Sequence, residues 1–229
     1  MVETNFRLHD YGKGILHVTN PFPEELAYAF LRPSESSGNP KWMNRGSFTH
    51  EQFLRDFDKL IRADICDSYP YEYLAFSFEG NKLRPFYEGV FNPIPNLEGQ
   101  LLELLKRPTD SGRRRTYVMG TREDDLDSLN HELSRAHSNN DPDYNDRTLQ
   151  IIKAIPADLR RKMDRWFIND GSFLRSIIPQ EIVAEFADWY DSYMFKEAGI
   201  DKRNGTLRRI HREIRNVFDE KMGTLKLPR

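Results

Sequence analysis

From Glu123 to Met222 the sequence reads as one helix after another, and this long run of helical spacing constrains the fold more than any other feature. In its first segment Leu126, Leu129, Leu133 and Ala136 recur three and four apart, the period of one helix face. Asn139-Asn140-Asp141-Pro142 stops that helix. Further helices are expected at about 143–155, 157–168, 179–198 and 205–222, punctuated by Pro156, the Asn169-Asp170-Gly171 turn, Pro179 and Gly199.

The first 120 residues are mixed. Residues 6–19 alternate around Gly12-Lys13-Gly14, the pattern of a hairpin with its turn at the glycines. Pro23-Glu24-Glu25-Leu26 opens a short helix, and Pro33 to Gly46 reads as a polar loop. Thr49 and Gln52 stand three apart, as in a capping box, ahead of a helix with Phe53, Phe57, Leu60 and Ile61 on one face. Tyr69 to Phe78 reads as one or two strands, Asn96 to Lys106 as a helix, Asp110-Ser111-Gly112 as a turn and Arg115 to Gly120 as a strand. The sum is α+β: a small mixed N-terminal sheet region followed by a predominantly helical C-terminal half. No flexible linker divides them, so the expectation is a single domain over 1–229, with 1–120 and 121–229 as its subdivision.

Composition removes several function classes. Lys+Arg 34 against Asp+Glu 36 gives a net charge of −2, so no global field steers the chain to nucleic acid or membrane. Cys66 is the lone cysteine, which excludes an internal disulfide framework and cysteine-based metal sites. The longest apolar stretch, Ile177 to Phe195, is interrupted by Gln180, Glu181, Glu185, Asp188 and Asp191, so no membrane partner is expected. Met1 to Asn5 lacks the regions of a signal peptide, and a soluble cytoplasmic or virion-associated protein is the expectation. Gly12-Lys13-Gly14 lacks P-loop spacing, and His9-Asp10, being adjacent, point to opposite faces of a strand. Trp189 with Phe186, Tyr190 and Tyr193 reads as core.

One segment carries potential chemistry: Leu129-Asn130-His131-Glu132-Leu133-Ser134-Arg135-Ala136-His137. A zinc helix of the His-Glu-x-x-His type sets two histidines at i and i+4, with the glutamate placed to deprotonate a metal-bound water. His131 and Glu132 fit, but the i+4 position is Arg135, and His137 at i+6 lies about 240° around an ideal helix from His131.

The chain from Leu83 to Tyr190 resembles an uncharacterised phage and bacterial protein family with a zincin-like His-Glu-x-Ala-His helix. The likeness is carried by Arg84-Pro85-Phe86-Tyr87-Glu88-Gly89-Val90-Phe91-Asn92-Pro93-Ile94, Tyr117-Val118-Met119-Gly120-Thr121, the His131-Glu132 segment, Asn140-Asp141-Pro142-Asp143-Tyr144 and Gln180-Glu181-Ile182-Val183-Ala184-Glu185-Phe186. The resemblance implies His131 as a metal ligand, Glu132 as catalytic base and Glu181 as a downstream ligand, with the helix from Pro179 bringing Glu181 or Glu185 close to His131. Arg135 departs from the pattern, since a guanidinium stays protonated and cannot ligate. Either His137 replaces the lost ligand, which requires the helix to break before it, or Arg135 pairs with Glu132 or Glu181 and ordinary metal binding is lost. The reading preferred here is a zincin-like protein with an incomplete metal motif and a non-catalytic binding or structural role, of viral type, engaging a protein or peptide. The alternative is a metal-dependent, peptidase-like hydrolase using His131, Glu132 and Glu181, with zinc as cofactor.

Residues 202–215 set Lys202, Arg203, Arg208, Arg209, Arg212 and Arg215 against Glu213. The slightly acidic chain favours an amphipathic helix with a solvated basic face, and contact with nucleic acid stays open as the alternative.

Overall fold

The computed structural model describes residues 5–38, 42, 46–61, 69, 75–110, 115–169, 173–188 and 193–225. Cys66, the Ser111-Gly112 part of the expected turn, and Trp189 and Tyr190 lie outside them. The fold is α+β, and the chain divides into two compact units, one running to Asp125 and the other starting at Leu126.

In the first unit, β1 (Arg7–Gly12) and β2 (Ile15–Asn20) form an antiparallel hairpin. Its turn needs three consecutive positive φ angles, at Gly12, Lys13 and Gly14, which is why glycine flanks the lysine. α1 (Pro23–Gly38) and α2 (His50–Ile61) follow, then β3 (Ala75–Glu79), a 3₁₀ turn (Gly80–Leu83), the short α3 (Arg84–Tyr87), α4 (Asn96–Asp110) and β4 (Tyr117–Arg122). The sheet order is β1-β2-β4-β3, with β2 and β4 parallel and the outer pairs antiparallel. α1 packs on this sheet through Phe30, whose ring lies against Gly120. A Cβ at position 120 would stand 2.6 Å from Phe30 Cζ, so only glycine permits this approach.

α1 corrects one expectation. The sequence predicts a loop from Pro33, yet the helix runs through it to Gly38. A proline removes one backbone hydrogen bond and strains the turn before it. Here the apolar face of α1, with Leu26, Ala27, Phe30 and Leu31 buried against sheet and α4, holds the helix together across it. The capping box is as expected: the Gln52 amide donates to Thr49 Oγ1, and the Thr49 amide donates to the Gln52 side chain.

The second unit is helical: α5 (Leu126–Asn140), α6 (Pro142–Ile152), α7 (Ala157–Asn169), α8 (Ile178–Ala187), α9 (Tyr193–Glu197) and α10 (Gly205–Met222). α8 packs on α5, α6 and α10, and is buried nearly all round. The single helix expected over 179–198 is a second correction, because α8 ends at Ala187 and Asp188 leaves helical geometry. Its last carbonyls have partners on α10: His211 Nδ1 donates to the Phe186 oxygen at 2.9 Å and Arg215 to the Ala187 oxygen at 3.1 Å. Cationic and N–H partners at a helix C-terminus satisfy both its orphan carbonyls and its dipole. Among the described residues, no helix is long and apolar enough to cross a membrane.

Candidate functional site

α5 is one continuous helix through His131, Glu132, Arg135 and His137. Leu133 and Ala136 are buried, as their spacing predicts, whereas Leu126, at the helix start, is exposed. The polar residues behave differently from a solvated face: Glu132, Ser134 and His137 are buried too. The reason is tertiary, since α6 and α8 both pack on this helix, leaving little of its surface to water.

Four side chains converge between α5 and α8. Arg135 Nη1 donates to Glu132 Oε1 at 3.3 Å, and its Nε stands 3.2 Å from Glu181 Oε1. The other Glu181 oxygen lies 3.6 Å from His131 Nε2. Glu181 thus bridges an imidazole and a guanidinium, while the same guanidinium reaches back to Glu132. Glu185, one turn after Glu181, acts on His131 through its charge.

The charges decide the protonation states. Burial disfavours the imidazolium of His131, but the Glu181 carboxylate beside it and the charges of Glu185 and Glu132 prevail, so its pKa is pushed up to about 9. Burial likewise works against an ionised Glu181, and Arg135 and His131 hold its carboxyl below the ordinary value. At neutral pH the cluster is therefore an imidazolium and a guanidinium among carboxylates. An imidazolium has no free lone pair to offer a metal.

His137 does not join this group. The helix is unbroken before it, and its buried ring packs on Tyr144 of α6 and Phe218 of α10, at centroid distances of 5.3 and 6.3 Å. Among the described residues, no three His, Cys, Asp or Glu side chains are disposed to hold a metal ion. The residues at the expected zinc position do not fit zinc, because the guanidinium already takes the carboxylates that would ligate it.

Two clusters in the first unit carry no local sequence signal. Arg32, on α1, is buried and uses its whole fork: Nε and Nη2 donate to the two Glu98 oxygens at 2.9 and 2.7 Å. Its remaining donors reach the backbone oxygens of Phe48, Phe91 and Pro93. The partners come from distant stretches of chain, so no spacing rule could have found them. On the sheet, Tyr11 and Thr121 bracket the ring of His17. Thr121 Oγ1 donates to the Arg122 oxygen, so it accepts from His17 Nε2, leaving Nδ1 to accept from the Tyr11 hydroxyl. Burial, with the nearby His9, lowers the pKa of His17 to about 4, so this ring is neutral.

No family model, curated protein or solved structure matches this chain.

Proposed function

We propose that the α5–α8 cluster is a zincin-like helix pair in which the Arg135 guanidinium stands where the fold's metal would be, and that the protein has a non-catalytic binding or structural role with a protein or peptide partner. The observation that carries this reading is the position of Arg135 between Glu132 and Glu181, at 3.3 and 3.2 Å. A fixed cation there satisfies the carboxylates that a metal would otherwise recruit. The raised pKa of His131 supports the same reading, since the proton it retains competes with any metal.

Metal content and zinc affinity of the wild type and of Arg135→His at neutral pH test it. The wild type should purify without stoichiometric zinc. Arg135→His supplies an imidazole at i+4 from His131 and removes the competing charge, so it should bind zinc. Stoichiometric zinc in the wild type, lost on His131→Ala, would overturn the assignment. An Arg135→His variant that folds but binds no zinc would end the zincin-like reading itself.

A further inference from the structure

We propose that the outer face of the N-terminal half of α10, together with the turn before it, is a docking surface for the phosphate backbone of a nucleic acid. Between Tyr193 and Asn216 the sequence has seven lysines and arginines against three carboxylates, in a chain whose net charge is −2. The structure sorts these cations by face. Leu207, Ile210 and Ile214 point into the core, and Arg215, with His211, is committed to the C-terminus of α8. Arg208, Arg209 and Arg212 are exposed on the opposite side, continued by exposed Arg203. Arg208 and Arg212 stand one turn apart and make no ion pair within 4 Å among the described residues, while Arg209 pairs with Glu213 and Arg203 with Asp201.

This arrangement opposes the local rules for helix stability. Like charges at i and i+4 repel, and the first turn of α10 contains no carboxylate to complement the positive end of its dipole. The acidic residues of the helix's C-terminal half are engaged elsewhere, Glu220 with Arg147 and Asp219 with Arg215. Beside the turn, Lys162 on α7 donates to the Gly199 oxygen at 3.3 Å and adds one more cation next to the row.

A row of arginine forks suits repeated phosphates, each able to accept two parallel hydrogen bonds. An anionic membrane suits it less well, because the apolar side of α10 is buried in the unit and has nothing to insert. A short acidic peptide offers no regular charge repeat to match a row that continues from the turn along the helix.

The test uses the full chain and a fluorescently labelled DNA duplex, with affinity measured by anisotropy across a salt series. Binding should weaken steeply with salt. Arg208→Gln with Arg212→Gln should lower affinity at least tenfold and flatten the log–log salt slope by about 2, at about 0.9 for each phosphate left without its arginine. Both side chains are exposed, so circular dichroism and the unfolding midpoint should not move. Arg84→Gln, at an exposed arginine on α3, controls for the loss of a surface arginine outside the row and should leave binding unchanged. The proposal is overturned by no binding at low salt, by equal binding of the double variant, or by equal loss in Arg84→Gln. Uptake of phosphatidylserine vesicles or polyglutamate at affinity equal to the duplex would also overturn it.

Discussion

Both units contain a buried arginine–glutamate contact, and the two are built differently. Arg32 and Glu98 are 2% and 0% exposed, meet in a two-pronged contact and have backbone oxygens for the remaining donors. The Arg135 side chain is 23% exposed and divides itself between Glu132 and Glu181 at longer distances, although in both clusters the glutamate also meets a histidine, His50 at 3.3 Å from Glu98 and His131 at 3.6 Å from Glu181. The first is a closed anchor tying α1 to α4 and to the loops around Phe48, Phe91 and Pro93. The second is an open cluster that retains contact with water and charge to spare. The same kind of ion pair can therefore be a closed structural anchor or a partly hydrated cluster, according to how completely its donors and acceptors are matched.

The sharpest way to break this contrast is to remove one partner of the anchor. Arg32→Met or Glu98→Gln leaves an unmatched buried charge or its backbone oxygens bare and should cost about 3–5 kcal/mol, read from urea unfolding. Arg32→Met with Glu98→Leu should recover only part of this loss, because the oxygens of Phe48, Phe91 and Pro93 stay unmatched. A cost below about 1 kcal/mol for either single variant, the range of an exposed pair, would mean that the anchor is not closed.

The open cluster should announce itself through pH. The pKa of His131 rises on folding from about 6.5 to about 9, so the folded state binds its proton more tightly. That stability is fully present below pH 6.5 and is lost as the pH rises through about 9. It amounts to about 3 kcal/mol at pH 7. Glu181 acts in the opposite sense: its carboxyl is held low, so its share is present above its ordinary range and lost as the pH falls. The difference in unfolding free energy between wild type and His131→Gln should shrink between pH 7 and 10. A pH-independent difference would detach His131 from the carboxylates.

The smallest effect separates the cluster from its scaffold. Asp141 caps α6 by accepting from the Tyr144 amide at 3.1 Å, and Tyr144 in turn meets Ser134 and His137 of α5. Asp141→Ala should cost about 1 kcal/mol. It should leave the alkaline titration of His131 unchanged, as read by the ring's NMR shifts.

Local patterns carry much of the fold because they act over one turn or one strand. The Gly12-Lys13-Gly14 turn, the Thr49–Gln52 box and the apolar spacing of α5 and α10 are all legible residue by residue. So is the incomplete motif at Arg135, since a guanidinium cannot ligate whatever surrounds it. Local reading fails at Pro33 and at the end of α8, where long-range packing overrides local preference. In α1 the packed apolar face outweighs a lost backbone bond, and at Ala187 the caps come from α10.

The sequence by itself determined the elements, the α+β order and the candidate residues, because hydrophobic period and turn chemistry are written within a few neighbours. Only the tertiary structure decided what those residues are. His131 and Glu181 stand fifty positions apart in sequence, and Arg32 and Glu98 sixty-six. A charge's state depends on the burial and partners it meets there, and no spacing rule specifies either.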